Sequence, residues 1–457
     1  MTALGTITVA QLPEVVKTGQ CMGCGFCQLP VGDTVTPAAI GMRYSPEDEY
    51  WVPEISKAGA EMDPEDLRIC PGARMDMRAL SEAIFGELPA DPMVAEAKLI
   101  ASGHATDDNV RRNAASGGVT SAILGYLFTS GSIDVAYCTN GRSPDSGRGM
   151  LVRSAADLKS MMGSHYHPVN FGDMLPELAD STSRFAFVGL PCEVAALRQL
   201  LAARPDLAKR CVLVIGLFCG GINRFSGIAD YLRNFGVDRA NVTGIDYRDG
   251  PWPGRIRLTA TDGSDGKTVP RILGNSRWNI LRYVIAFQGY SMLPRCRICP
   301  DQIADFADIA VGDPHLGRFK EADSPGHSAI IARTATGLVM LEAAVAAGAV
   351  VLGDLSRDEL VRSQGYTLEN RRHAPVYVRM ARCLGMTPPE ITVYDDLEKA
   401  RSPHQNVYAL VDLLKIKWRG VKFLRPFHLV IQVFEYLFLT FSIRILLSRL
   451  KKLVSGR

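Results

Sequence analysis

Phe185-Ala186-Phe187-Val188-Gly189-Leu190-Pro191-Cys192 reads as a short apolar strand followed by a turn that delivers a thiol. Beyond it, Glu193 to Ala203 has apolar residues at helical spacing, with an acid in the first turn where the helix dipole favours one. The same rhythm recurs along the chain. Cys211–Leu217 predicts the next strand, Ile309–Val311 another, and Ala329–Ala332 another before a helix over Leu338–Ala347. Arg255–Thr259 alternates as a half-buried strand does. Upstream, Val119–Phe128 predicts a helix and Ile133–Tyr137 a buried strand. Strands alternating with helices predict an α/β sheet, α+β overall, with ligand loops at the strand ends.

Those strand ends carry cysteine. Cys192 and Cys219 each follow an apolar strand, and Cys296-Arg297-Ile298-Cys299-Pro300 supplies a two-cysteine hook. Together they are the ligand complement of one four-iron cluster. Taken singly, Cys192 or Cys219 reads as a buried apolar thiol, and the hook alone also suits zinc or a redox disulfide. Cys138, Cys211 and Cys383 lack partners at ligand spacing and read as structural.

A second set opens the chain. Cys21-Met22-Gly23-Cys24-Gly25-Phe26-Cys27 places three thiols two residues apart, with glycines that let the backbone curl around a cube. A bacterial ferredoxin run would put its fourth cysteine before the next proline, but Leu29 precedes Pro30, so Cys70-Pro71 is the candidate fourth ligand. A zinc knuckle or buried free thiols are the competing readings. Zinc hooks usually pair cysteines or add histidine, and no histidine occurs before His104.

At 457 residues the chain has room for two or three domains. Eleven cysteines without a secretory signal argue for a reducing compartment, hence a cytoplasmic protein. Residues Met1 to Val16 carry no lysine or arginine and no long apolar run, unlike a targeting peptide. A net charge of +3 is too small to imply nucleic acid. Between Cys27 and Cys70 the chain reads as irregular and polar, and Glu87–Pro92 as a linker. Arg112-Asn113-Ala114-Ala115-Ser116-Gly117-Gly118 then precedes a helix, a start that allows close backbone approach to phosphate or a ring edge. Met161-Met162-Gly163-Ser164-His165-Tyr166-His167-Pro168 reads as a polar loop with two histidines and a tyrosine, residues that suit either an ordinary satisfied surface or contact with a bound ring.

The ordered motifs resemble a family. They are Cys-x-x-Cys-x-x-Cys, the remote Cys-Pro, Ala-Ser-Gly-Gly, Gly-Leu-Pro-Cys-Glu-Val-Ala-Ala-Leu, Gly-Leu-Phe-Cys-Gly-Gly, Tyr247-Arg248-Asp249-Gly250, Cys-x-x-Cys-x-Asp and Ala307-Asp308-Ile309-Ala310-Val311-Gly312-Asp313. In that order, over about residues 20 to 350, the chain resembles the beta subunit of coenzyme F-420-reducing hydrogenases and related dehydrogenases. The family includes formate dehydrogenase beta subunits and 7-hydroxymethyl chlorophyll a reductase. The resemblance implies FAD, one or two [4Fe-4S] clusters and electron transfer between them, with coenzyme F-420 as a candidate partner of the flavin. Ser116, Gly117 and Gly118 would contact the flavin, with Asn113 before them and the Gly163–Tyr166 loop, Ser164 included, beside it. The family often has a lysine in that loop where His165 stands here. His165, Tyr166 or Asp313 could finish a reduction as general acid. The implied work is that of an iron–sulfur flavoprotein oxidoreductase acting on a small-molecule substrate. The alternative is an electron-relay subunit that works only with a redox partner, a ferredoxin-like donor or another oxidoreductase subunit.

The resemblance implies that residues 1–92 form a small ferredoxin-like iron–sulfur segment, and 93–182 and 183–352 the family's two core domains, a flavin-binding α/β core. Residues 353–414 form an accessory lobe, and 415–457 a C-terminal helical tail. In that tail Lys415, Lys417, Arg419, Lys422 and Arg425 precede a mostly apolar Leu429–Ile445. Glu435 and Arg444 argue against a membrane span. A basic, aromatic-rich helix on the inner membrane surface is the expectation, and docking on a partner subunit the alternative.

Overall fold

The computed structural model describes residues 12–29, 40–55, 66–141, 147–233, 236–250, 254–260, 267–269, 291–322 and 325–395, with positions 252, 397, 406, 409–414 and 430. Nine strands make one mixed sheet: β1 (Leu99–Ala105), β2 (Val135–Thr139), β3 (Gly147–Val152), β4 (Val169–Asn170), β5 (Phe185–Gly189), β6 (Cys211–Leu217), β7 (Ile309–Gly312), β8 (Ser328–Ala332) and β9 (Val350–Gly353). Their spatial order is β9-β1-β8-β7-β6-β5-β2-β3-β4. The central four, β7, β6, β5 and β2, run parallel. Strands β8, β1 and β9 continue the sheet antiparallel on one side.

A parallel sheet is covered on both faces, so its strands are apolar throughout. Every residue of β5 is buried. Phe185 and Phe187 point to the face covered by α2 (Pro191–Ala203), while Ala186 and Val188 point to the face covered by α1 (Val119–Thr129) and α3 (Ala335–Ala346). Asp308 pins the layers. Its carboxylate accepts from the Val214 N–H (2.8 Å) and the Thr334 hydroxyl (2.7 Å) and pairs with Arg198 (2.9 Å).

Helix α2 begins two residues earlier than the sequence suggests. Pro191 takes the first helical position, where its missing N–H costs nothing, and the Glu193 carboxylate accepts from the Leu190 N–H (2.7 Å). Cys192 therefore lies in the first turn and not in a preceding loop.

Two regions depart from expectation. Between Cys27 and Cys70, Ile40–Ser45 and Tyr50–Ile55 pair as an antiparallel hairpin. Its alternation is blurred by Gly41 and Pro53, which hides the strand signal. The stretch after residue 353 makes a strand contact with the N-terminal segment that the sequence does not announce. Its helix α4 (Gly365–Cys383) is followed by Glu390–Thr392, which pairs parallel with Arg74–Asp76 of the N-terminal segment. A smaller antiparallel sheet of Val242–Asp249, Arg255–Ala260 and Lys267–Val269 completes the described fold. Among the described residues no helix is long and apolar enough to cross a membrane. The basic, apolar tail of residues 415–457 lies outside the described residues except for Val430.

Candidate functional site

The first three cysteines sit on a loop shaped by left-handed glycines. Gly23 (φ 74°) and Gly25 (φ 82°) alternate with the thiols, and the Gly23 N–H donates to Cys21 Sγ (3.4 Å). Burial pushes the Cys21 thiol up to about 12, and the charge of Cys70 is the next cause. Cys24 and Cys27 are raised by the same two causes in the same order. Cys70, 43 residues on from Cys27 in sequence, is thus brought against all three. Tyr50 of the hairpin fixes the loop by donating its hydroxyl to the Cys21 carbonyl (3.0 Å).

Cys192, at the start of α2, and Cys219, just after β6, meet the hook Cys296–Cys299. All four line one pocket. Burial raises Cys192 first, then Glu193, then the charges of the other three thiols. Backbone amides point at sulfur here too, from Gly221 to Cys219 (3.4 Å) and from Ile222 to Cys296 (3.5 Å). The two sets share a single apolar cluster containing Cys21, Cys27, Cys192, Ile222 and Leu293. Met22, between the first two thiols in sequence, also lines the second pocket. All eleven cysteines are free thiols.

A strap leads from the second set to the histidine loop. The Asn223 N–H donates to the Tyr166 carbonyl (2.9 Å), and the Asn223 carbonyl accepts from His167 Nδ1 (2.9 Å). A carbonyl only accepts, so His167 carries its proton on Nδ1, and Nε2 accepts from the Tyr247 hydroxyl. His167 also stacks on Phe225 at 4.2 Å. Burial, then His165, drives its pKa well below the usual histidine range. His165 has both ring nitrogens buried without a hydrogen-bond partner among the described residues. Burial lowers it to about 4, so it is neutral at physiological pH.

Asp313 follows β7 as Cys192 and Cys219 follow their strands. Its carboxylate accepts from Arg248 Nη2 (2.8 Å) and Trp252 Nε1 (3.3 Å). Burial pushes this carboxyl up, but the charges of Arg248 and His315 and the Arg248 hydrogen bond, with Ser116 alongside, outweigh it and hold it below its ordinary value. Arg248 Nη1 also donates to the Tyr166 hydroxyl (3.4 Å). Arg248, Tyr166, Asp313 and Ser116 are thereby brought together.

At the glycine motif, Gly117 is tightly enclosed. Its N–H donates to Ser328 Oγ (3.1 Å), its carbonyl accepts from the Ala105 N–H (2.7 Å), and the Ser116 hydroxyl donates to the His327 carbonyl. Gly118 (φ 77°) caps α1 with no side-chain hydrogen bond, which leaves the first-turn amides to another acceptor. Asn113 turns its amide back onto Asn109 (2.8 Å to the carbonyl). Gly163 lies against Gly141, beyond the end of β2, and Ser164 follows on the same loop. Arg248 was legible only as part of a motif. Asn223 and the buried Arg295 beside the hook carry no signal of their own.

The fold and the site define a protein with a mixed α/β sheet and two cysteine sets, one of them built partly at the ends of its parallel strands. The chain belongs to the family of the coenzyme F420 hydrogenase/dehydrogenase beta subunit: the model of that subunit's N-terminal part matches residues 100–176, and that of its C terminus residues 182–358. It is 28% identical over 211 residues to a subunit of the F(420)H(2) dehydrogenase of Methanosarcina mazei, covering 46% of this chain and 56% of that one. Over 239 residues it is 27% identical to the coenzyme F420-dependent sulfite reductase of Methanocaldococcus jannaschii, covering 48% and 33%. The beta subunit of the F420-dependent formate dehydrogenase of the same organism is 32% identical over 212 residues, covering 46% and 51%. The chain thus spans about half the length, or less, of these curated relatives. In fold it is similar to a chain of the F420-reducing [NiFe] hydrogenase complex from Methanosarcina barkeri, with a TM-score of 0.50 and 19% identity over 66% of this chain and 98% of that one.

Proposed function

We propose that the chain is an electron-transferring oxidoreductase subunit carrying two 4Fe–4S clusters and FAD. Cys21, Cys24, Cys27 and Cys70 would hold one cluster, and Cys192, Cys219, Cys296 and Cys299 the other. The observation that carries this reading is the placement of three thiols from each set in or against one apolar cluster, with amides aimed at sulfurs of both sets. Among the described residues no three His, Cys, Asp or Glu side chains form a site for a single ion. Thiols ringed around a pocket suit a cube, whose four irons each take one sulfur, better than one zinc.

A flavin exchanges electrons in pairs or singly and each cluster carries one, so the bound groups would convert between the two modes. FAD would lie with its phosphates at the amide-rich start of α1 after Gly118 and its ring between Ser116 and the Gly163–Tyr166 loop. This chain's own residues do the rest. Asp313, held ionised by Arg248, is an acceptor and anchor and a poor proton donor. Neutral His165 has no acidic proton to give and can offer only a hydrogen bond, which leaves the Tyr166 hydroxyl as the better proton donor. His167, locked as the Nδ1–H tautomer, joins that loop to the strap from Cys219.

A small-molecule partner of the flavin, coenzyme F-420 in the names of the relatives, and a partner subunit are part of the proposal. The relay reading, activity only within a complex, is favoured by the subunit status of the dehydrogenase relatives. Residues 415–457 are proposed to lie on an anionic membrane surface.

The test is anaerobic purification with iron, sulfide and flavin analysis and electron paramagnetic resonance. Cys24→Ala should remove one cluster signal and Cys299→Ala the other, each with the flavin retained. Iron content unchanged by either substitution refutes the assignment. Turnover of reduced coenzyme F-420 by the isolated chain would overturn the relay reading.

A further inference from the structure

Among the described residues three arginines are fully buried, Arg295, Arg333 and Arg371, each 0% exposed. Two of them have an evident counter-charge. Asp305 pairs with Arg333 at 3.6 Å and with Arg371 more closely still. Arg295 differs. Among the described residues no carboxylate lies within ion-pair distance of it, and its Nη1 is buried with no hydrogen-bond partner. A guanidinium cannot shed its proton, so a buried one needs an anion nearby.

Its position says which anion. Nε donates to the Pro71 carbonyl (2.8 Å), next to Cys70, and Nη2 reaches Met75 Sδ (3.2 Å). At the same time Arg295 precedes Cys296 in the chain and lines the pocket of the second thiol set. It favours the thiolate forms of Cys70 in one set and of Cys296 and Cys299 in the other. Glu193, a buried carboxyl facing both sets whose pKa burial raises to about 8, acts in the opposite sense on Cys24, Cys192 and Cys219. An arginine between two thiol sets, with no ion-paired carboxylate among the described residues, is matched when those sets are anionic. A four-iron core held by four thiolates is a net anion, and becomes more so on reduction.

We propose that Arg295 is a positioning residue shared by both clusters: its fixed positive charge is the common counter-ion of the two sites, and it sets the reduction potentials of both. The inference rests on the reading that both thiol sets hold clusters. Reduction adds negative charge beside the guanidinium, so Arg295 favours the reduced form at each site, and its removal should lower both potentials.

The experiment is a redox titration of the full-length chain, purified anaerobically, followed by electron paramagnetic resonance with iron content measured in parallel. Arg295→Met and Arg295→Gln should each move both midpoint potentials downward, and Arg295→Lys should return both toward the wild-type values. Should Arg295→Met give no folded chain, Arg295→Gln against Arg295→Lys makes the same comparison of neutral with charged. Loss of both clusters from the neutral variants but not from Arg295→Lys also supports the proposal. It is overturned if only one potential or neither moves, if Arg295→Lys shifts as far as the neutral variants, or if all three lose their clusters. A wild-type chain that holds no iron overturns the cluster reading itself, whereas iron-replete variants with unmoved potentials overturn only the role of Arg295.

Discussion

Replacing Gly25 by alanine tests whether the first cysteine loop is as rigidly specified as its geometry implies. Gly25 has φ 82°, and a methyl there would stand 2.5 Å from Asn170 Oδ1 and 2.6 Å from the Gly172 nitrogen. The left-handed backbone costs an alanine about 1–2 kcal/mol. Crowding against well-packed neighbours typically adds about 1–3 kcal/mol. Neither neighbour has an easy escape. Asn170 is buried and accepts the Gly172 N–H (2.7 Å), and the Phe171 N–H holds the Cys24 carbonyl (3.0 Å). The expected loss is therefore about 2–5 kcal/mol, a large share of a domain's typical stability of about 5–15 kcal/mol. At about 2–4 °C per kcal/mol, the melting midpoint should fall on the order of 10 °C. Gly220, beside Cys219, is the matched control, because a methyl there would meet nothing within 4 Å. Gly220→Ala should stay within about 0.5 kcal/mol of wild type. The assay is thermal unfolding of both variants with iron analysis. If Gly25→Ala melts with wild type and keeps its iron, the geometry assigned to this loop is wrong.

Arg248→Ala should destabilise by about 3–5 kcal/mol, because it strands the Asp313 carboxylate in a buried position, and adding Asp313→Asn should recover part of that loss in urea unfolding. For His165 the folded pKa of about 4 lies below its ordinary 6.5. The unfolded chain binds the extra proton between those values, so stability should fall as pH drops from about 6.5 toward 4, and the fall should be shallower in His165→Asn when melting is followed against pH. A methyl at Gly117 would lie 2.6 Å from the Gly103 carbonyl and 2.7 Å from the Ser328 nitrogen, so Gly117→Ala should cost about 1–3 kcal/mol with or without flavin, a loss that chemical unfolding of the flavin-free chain measures. Full-length protein should sediment with anionic liposomes and be partly released by salt, each basic residue near the surface contributing about 1 kcal/mol, and truncation before Lys415 should abolish sedimentation.

The central strands were legible because burial on both faces makes them apolar runs bounded by glycine, and Phe185–Gly189 and Cys211–Leu217 fall where the sequence places them. The cysteine sets were legible through spacing and through their position after strands. The hairpin was hidden because Gly41 and Pro53 interrupt its alternation. Pairing of Glu390–Thr392 with Arg74–Asp76 joins segments more than 300 residues apart, which no local pattern reports. Arg295 escaped notice, and the role of Arg248 within its motif with it, for a different reason. A single arginine looks the same in sequence on a surface or in a core, and only packing shows which charges lack water.

The first thiol set is not an appendage to the sheet. Tyr50 ties its loop to the hairpin, and the hairpin turn reaches the strap of the second set through Glu49, which accepts the Ser226 N–H (2.9 Å), and Asp48, which pairs with Arg224 (3.4 Å). Glu49 adopts a left-handed backbone (φ 64°) to make that contact, a conformation a non-glycine residue holds only when its surroundings impose it. From the other side, Arg295 binds the Pro71 carbonyl, and Glu390–Thr392 extends the strand that follows. The strap itself then holds the His167 loop through Asn223. Thus three separate contacts fix the N-terminal cysteines against the second set, and one further residue joins that set to the loop beside Ser116 and Asp313. A displacement at any of these points is transmitted through packed, hydrogen-bonded backbone and not through a flexible linker, which is the arrangement needed where distance between redox groups governs their exchange.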